Sequence, residues 1–373
     1  MRVVDLFAGL GGFSAGALAA GASVELGVDN DHVPLKLFAA NVPNAKVKLA
    51  TLGPDGGEDV KYPPAATDLH MHASSPCTEL SPAKASATEA DIASGLATLR
   101  WALELVLGRG DYSWSVENVS TIKTRALLQE YVDRHPERVA FASLDAAEFG
   151  AAQSRVRLIG GPPKLIRALK EMPSARRVSV REAYEKRGLV VPAPAFKNQT
   201  RNRDGTPCTR SVEEQSFTIC ASHGLTWCDR DGTTVKVMTA NDSSLLMGFP
   251  KEWRLPKGSR DAQRAVGNAL CVAMSRAIMD AAIAVQADNK ATLQVPPPLE
   301  PPTAEPLPAP TMDEMNRRLG RIEKLLLSLA PSVESPPHGD AELGSKLLAV
   351  LAENGCDQVT LSSDHGGKGG ESS

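Results

Sequence analysis

The spacing of hydrophobic and polar positions changes period several times along the first half of the chain. Val3-Val4-Asp5-Leu6-Phe7 is a short apolar run that meets Ala8-Gly9-Leu10-Gly11-Gly12, which predicts a strand running into a glycine turn. An alanine-rich helix is expected from Phe13 to Ala20, stopped at Gly21, and a second strand from Ser23 to Val28, ending on Asp29. Strand, glycine turn, helix and strand make the opening unit of an open α/β sheet. Residues 31–42 predict a helix, and the Gly/Pro/Asp-rich 52–64 a loop. Thr67 to Ala73 predicts a strand in which His70 and His72 alternate with apolar neighbours. Ile92, Leu96, Leu99, Leu103 and Val106 recur at helical spacing, so 88–107 reads as an amphipathic helix.

The second half is patterned less regularly. Tyr112 to Val116 predicts a strand ending in Glu117-Asn118-Val119, Val139 to Ala142 another, and Gln153 to Ile159 a third. In the last, Gln153, Arg155 and Arg157 share one face because strand side chains alternate. Short strands are expected at Ser216–Ile219 and Thr234–Met238, and a helix from Ala262 to Ala284. The fold class is therefore α/β, a mostly parallel sheet with helices on both faces.

Composition adds limits. At 373 residues the chain can bury a large core. No stretch approaches the ~20 apolar residues of a membrane span. The N-terminus lacks a signal-peptide profile, so a cytoplasmic setting is expected. Six scattered cysteines form no Cys-x-x-Cys pair, which argues against a disulfide framework and a structural zinc site. His70 and His72 lack a third ligand nearby and read as polar strand positions, so no metal is expected.

Net charge is −3, but it is uneven. Residues 164–210 hold twelve basic and four acidic side chains, and their loop-like texture suits contact with a polyanion. Eight prolines between 296 and 310 predict an extended linker. Beyond it Met312, Met315, Leu319, Ile322, Leu326 and Leu329 form a short heptad seam, fit for a homodimer through 312–329 or for docking on the core. Residues 361–373 are Gly/Ser-rich and expected to be disordered.

The chemistry gathers around Cys77, in the loop Ser74 to Pro82. A lone Pro-Cys carries little weight, since a free cysteine is usually a packed apolar residue. Its surroundings carry more. Asp29 stands about twenty residues beyond the first glycines, where α/β folds place an acid on a ribose, which favours an adenosine-containing ligand. The glycine pattern is Gly-x-Gly-Gly, not the dinucleotide Gly-x-Gly-x-x-Gly, and an NAD-linked oxidoreductase would leave Cys77 and Glu117-Asn118 unexplained. Cys77 and Glu117 both follow strands at the sheet's carboxyl edge. Two arginines on one strand face need an anionic or carbonyl-rich partner.

Taken in order, Asp5-Leu6-Phe7-Ala8-Gly9-Leu10-Gly11-Gly12-Phe13, Pro76-Cys77, Glu117-Asn118-Val119, Gln153-Ser154-Arg155-Val156-Arg157, Met247-Gly248-Phe249-Pro250 and Gly267-Asn268-Ala269 resemble the DNA cytosine-5 methyltransferases over roughly residues 1–285. The resemblance implies a Rossmann-like S-adenosylmethionine-dependent methyltransferase domain at 1–161 and 262–287. It also implies a small target-recognition region at 162–261, followed by the linker 288–311, the heptad helix 312–330 and a tail 331–373. Phe7, Ala8, Gly9, Leu10, Gly12, Asp29, Asn30, Pro76, Asn268 and Ala269 would form the S-adenosylmethionine site. Cys77 would be the nucleophile, Glu117 the partner of ring nitrogen 3, and Arg157 a donor to the base carbonyl with Arg155 beside it. The nearby arginines would favour the Cys77 thiolate. Double-stranded DNA would be the substrate.

Two departures concern loop details: Ser75-Pro76-Cys77-Thr78 stands where the family has Pro-Pro-Cys-Gln, and Thr239-Ala240-Asn241-Asp242 where it has Thr-x-Arg-Glu. A tRNA cytosine-5 methyltransferase would use the same groups, and a catalytically silent DNA-binding relative would have no need of Cys77, Glu117 and Arg157.

Overall fold

The computed structural model describes residues 1–289 apart from 58, 82–85, 111–112 and 203. The described residues all belong to one unit, within Met1–Thr303. The expected linker 288–311, heptad helix 312–330 and tail 331–373 lie outside them, except that residues 288 and 289 end the last helix.

The chain begins with β1 (Arg2–Leu6), α1 (Gly12–Ala19), β2 (Ser23–Asp29), α2 (His32–Asn41), β3 (Lys46–Leu49) and β4 (Leu69–Ser74). There follow α3 (Glu89–Arg109), β5 (Ser113–Asn118), α4 (Ile122–Arg134), β6 (Ala140–Asp145), a 3-10 turn (Ala146–Phe149) and β7 (Val156–Gly161). These seven strands form one sheet in the order β3-β2-β1-β4-β5-β7-β6. All neighbours from β3 to β5 run parallel; β7 is antiparallel to both β5 and β6.

Alternation along the central strands explains why both faces are covered. In β1, Val4 and Leu6 belong to the core shared with α3 and α4 residues such as Leu99, Leu103, Leu128 and Tyr131, while Val3 belongs to the core on the other side. Likewise Leu69, Met71 and Ala73 of β4 and Trp114 and Val116 of β5 face the α3/α4 side. Helix α3 starts on a capping box in which Thr88 and Asp91 bond each other's backbone N–H, and stops at Gly110, whose φ of 68° suits glycine.

After β7 come α5 (Pro163–Glu171), α6 (Val180–Glu185), β8 (Ala195–Arg201), β9 (Pro207–Ser211), β10 (Thr226–Cys228), β11 (Thr234–Val237), α7 (Ala240–Leu246), α8 (Ser259–Asn268) and α9 (Val272–Asn289). The last four strands make a second, antiparallel sheet in the order β11-β10-β8-β9. Its inward side chains, Phe196 and Trp227, join the same apolar core as α1 and α9.

Three expectations need correction. The basic segment 164–210 is not loop-like: it holds α5, α6, β8 and β9, because Leu165, Ile166, Leu169, Val180, Tyr184 and Phe196 provide buried anchors between its cations. Ser216–Ile219 forms no strand; it is tied to the segment before β7 by a bridge between Ser216 and Gln153 and by side-chain bonds such as Thr218 Oγ1 to the Ser154 carbonyl. The Ala262–Ala284 helix is two helices, broken after Asn268 where Ala269 turns extended, with φ −67° and ψ 151°. The stretch Ser259–Asp288 is long and apolar enough to cross a membrane by length and composition, but 61% of its apolar window is buried here. It covers the sheet through α1: Gly16 lets α9 so close that a Cβ there would stand 2.3 Å from the Cβ of Ser275.

Candidate active site

A cavity of about 380 Å³ opens at the carboxyl edge of β1, β2, β4 and β5. Its floor is the turn after β1, which has three unusual backbone conformations in five residues: Phe7 (φ 57°), Gly9 (φ 51°) and Gly11 (φ 89°). A non-glycine residue at positive φ is strained, so Phe7 is held there by its surroundings. Its ring meets Trp101 edge-on at 6.1 Å. Gly12 serves close approach, since a Cβ at that position would lie 2.4 Å from the carbonyl oxygen of Leu270. The turn is therefore clamped between its own helix and the break between α8 and α9. Trp253 donates from Nε1 to the Leu10 carbonyl at 3.0 Å and pins it from outside.

Asp29 ends β2 and faces this turn. One carboxylate oxygen accepts from the Gly9 N–H at 2.7 Å, the other from the Asp31 N–H at 2.8 Å. Burial raises its pKa against those bonds. Asp5 lies deeper, accepts from Ser14 Oγ at 2.6 Å, and is pushed by burial up to about 7. At the mouth, Asp31 caps α2 by accepting from the Val33 N–H and pairs with Arg264 at 3.2 Å.

The other wall carries the nucleophile candidate. Strands β4 and β5 pair in a register that sets Ser74 opposite Glu117, so the loop after β4 and the end of β5 emerge side by side. Asn118 ties them: its Nδ2 donates to the Ser75 carbonyl at 3.2 Å and to Ser75 Oγ at 3.0 Å. Cys77 is half-buried on that loop. Glu117 is buried and accepts from Arg157 Nε at 3.0 Å, while Arg157 Nη1 donates to the Val156 carbonyl at 2.7 Å.

The sequence residues expected around the cofactor, Phe7, Ala8, Gly9, Leu10, Gly12, Asp29, Asn30, Pro76, Asn268 and Ala269, all line this one cavity, together with Cys77 and Glu117. Arg155 and Arg157 do not line it. Arg157 reaches it through Glu117. Arg155 points elsewhere: Nη1 donates to the Ile219 carbonyl at 2.8 Å and Nη2 to those of Gly267 and Ala269 at 2.8 and 3.0 Å, while its Nε is buried without a hydrogen-bond partner. It braces the α8–α9 break that Gly12 packs under. The carbonyl-rich partner its burial required is backbone, and burial lowers its pKa to about 10.

The thiolate expectation also changes. Burial raises the Cys77 thiol above its ordinary value, the Glu117 charge raises it further, and Arg157 and Arg155 oppose this without prevailing. Residues overlooked from sequence include Asp5, Asp31, Arg264 and Trp253. Asp5 was signalled by an acid inside a buried strand, whereas nothing local marked the other three. Among the described residues no three His, Cys, Asp or Glu side chains converge as a metal site.

An open sheet in the order 3-2-1-4-5-7-6 with an antiparallel seventh strand, a glycine turn and an acid after the second strand is the Rossmann-like architecture of S-adenosylmethionine-dependent methyltransferases. The model of the C-5 cytosine-specific DNA methylase family matches residues 1–161 and 164–284, so the chain belongs to that family. The type II methyltransferase M.HindV of Haemophilus influenzae is 28% identical over 309 residues, covering 76% of this chain and 96% of that protein. M.NlaX of Neisseria lactamica is 24% identical, covering 78% and 99%. Among solved structures, a DNA modification methyltransferase encoded within an E. coli prophage superposes with a TM-score of 0.52 at 17% identity, covering 77% of this chain and 99% of that one, and supports the fold. The protein is a DNA cytosine-5 methyltransferase that uses S-adenosylmethionine as methyl donor.

Proposed function

We propose that Cys77, Glu117 and Arg157 carry the reaction, and that the glycine turn with Asp29 and Asn30 holds the cofactor. The observation that carries this reading is that the thiol and the carboxyl leave adjacent strand ends into the cavity floored by the cofactor turn. The cavity fits S-adenosylmethionine: a turn whose Gly9 offers backbone free of a Cβ, and a half-buried carboxylate, fixed by two backbone N–H groups, that still has acceptor capacity for ribose hydroxyls. Bound there, the cofactor supplies an electrophilic methyl group.

Carbon 5 of cytosine is a poor nucleophile. Addition of the Cys77 sulfur to carbon 6 turns the ring into an enamine that is nucleophilic at carbon 5. The thiol, held protonated by burial, first gives up its proton to solvent, and the thiolate then forms the carbon–sulfur bond. A proton shared between Glu117 and ring nitrogen 3 meets the electron density that builds there, and Arg157 fixes the Glu117 carboxyl while keeping further N–H donors for the base carbonyl. Loss of the carbon 5 proton then lets Cys77 leave. Arg155 is a positioning residue in this reading and makes no contact with the base.

The target cytosine must leave the duplex to reach Cys77. We assign the small sheet and its basic approaches, residues 162–261, to target recognition, with most of their cations on phosphates. The enzyme works in the cytoplasm, beside its DNA. Incubation with S-adenosylmethionine and duplex DNA containing 5-fluorocytosine tests the mechanism, because fluorine cannot leave as a proton. A covalent complex that survives denaturation is expected for the wild type and not for Cys77→Ala. Absence of a complex with any duplex, alongside methylation of tRNA, would overturn the substrate.

A further inference from the structure

Beneath the site, on the face of the large sheet that α1 covers, five side chains form one unbroken line of hydrogen bonds that no reaction step uses. His70 Nδ1 lies 2.7 Å from Ser113 Oγ and its Nε2 2.9 Å from Ser115 Oγ. His72 Nδ1 lies 2.7 Å from the same Ser115 Oγ, and its Nε2 2.7 Å from Ser74 Oγ. The pairing of β4 with β5 produces this ladder by register: His70 stands opposite Ser113, His72 opposite Ser115, and Ser74 opposite Glu117. Both imidazoles are fully buried.

The line has an all-or-none direction. Ser115 is buried between two ring nitrogens; for its own proton to be bonded within the ladder it donates to one histidine and accepts from the other, and that choice sets both tautomers and the Ser74 hydroxyl at the far end. Neutral rings preserve this direction, since a cationic ring donates from both nitrogens and accepts from neither serine. Burial supplies them by holding His70 down to about 3 and His72 well below its ordinary value.

His72 also touches the other half of the site. Phe13, the first residue after the glycines, stacks on its ring at 3.6 Å and 5°. Ser74 leads into Ser75, which Asn118 holds, and lines the cavity beside Cys77. One ring thus joins the cofactor turn to the nucleophile's loop. Apolar side chains of equal volume would hold β4 to β5 as well, without the desolvation cost of four buried polar groups and a half-buried fifth. A fully satisfied buried network adds a fixed geometry.

We infer that the Ser113–His70–Ser115–His72–Ser74 ladder is the positioning device of this enzyme: His72, gripped at both ring nitrogens, sets the Ser74–Cys77 segment against the cofactor turn stacked on its face. The inference rests on Cys77 being the nucleophile.

Ser115→Ala cuts the ladder at a residue outside the cavity. The rate of covalent adduct formation with 5-fluorocytosine duplex is expected to fall about tenfold or more, as a misplaced nucleophile implies. The S-adenosylmethionine Kd is expected to stay within about twofold, and Ser115→Thr, which restores the hydroxyl, to recover most of the rate. Ser74→Ala, at the half-buried end, is expected to show the same split and decides the matter if Ser115→Ala does not fold. An adduct rate within about twofold of wild type would overturn the inference, as would loss of rate, cofactor affinity and Tm together with no recovery in Ser115→Thr. Failure of the wild type to form any adduct would instead overturn the assignment of Cys77.

Discussion

The two sheets bury their residues for different ends. In the large sheet the polar side chains at the carboxyl edge are enclosed and bonded: Glu117 to Arg157, Asp29 to two backbone N–H groups, Asn118 to Ser75. In the small sheet the buried side chains are apolar, Phe196 and Trp227, and strand β11 is exposed along its whole length. One sheet fixes a geometry and the other presents a surface. Substitutions at the first should therefore cost rate or stability, and substitutions on the second should cost DNA affinity alone.

Cys77→Ser gives the largest expected effect. The fold has little reason to change, since the residue is half-buried and near in size. Methyl transfer is expected to drop by on the order of 10⁴-fold or more, with no adduct on fluorinated DNA. In the wild type the raised thiol predicts a pH dependence of known sign. Only the thiolate adds to carbon 6, so below the thiol pKa the adduct rate should climb about tenfold per pH unit and continue rising past pH 9. A plateau below pH 8 would show that substrate or the arginines bring the thiol down.

Arg157→Leu attacks the same edge through charge. It leaves the Glu117 carboxylate buried without its partner, which typically costs about 3–5 kcal/mol. Urea midpoints measure this, and Glu117→Gln in the Arg157→Leu background should recover part of the loss by removing the stranded charge. Gly12→Ala is milder. The added methyl meets the Leu270 carbonyl and the Ala269 side chain, so α8 and α9 must shift, at about 1–3 kcal/mol, with weaker cofactor binding by calorimetry.

The same contrast explains what the sequence could disclose. Large-sheet strands show in the sequence as the apolar run Val3–Leu6 and the alternating Leu69–Ala73, and motifs at their carboxyl ends sit where chain direction puts them, so Cys77, Glu117 and the glycine turn were legible together. Arg155 and Arg157 looked equivalent, two residues apart on one strand. What separates them is the α8–α9 break, more than a hundred residues away, whose carbonyls capture Arg155. No local pattern records such a contact. Of the small sheet, β11 was legible as a strand, but β8 and β9 were read as loop because they are short and carry Lys, Asn, Thr and Arg outward, and the packing that holds Phe196 and Trp227 comes from Tyr184 and Phe217 on separate segments. The break at Ala269 had no proline to announce it.

Lys236→Ala is the smallest of these effects and the one that tests the surface half of the contrast. Lys236 is exposed in the middle of β11 between Val235 and Val237, themselves 46% and 61% exposed. With no buried partner to lose, stability should move by less than about 0.5 kcal/mol. If β11 lies along DNA and Lys236 meets a phosphate, affinity should weaken to a similar degree for all sequences, and the slope of log Kobs against log salt should fall by about 1. A loss confined to one sequence context would make Lys236 a reader of base edges instead. An unchanged slope would move the DNA path off β11 toward the β8–β9 edge, and an unexpected loss of stability would break the division between the two sheets.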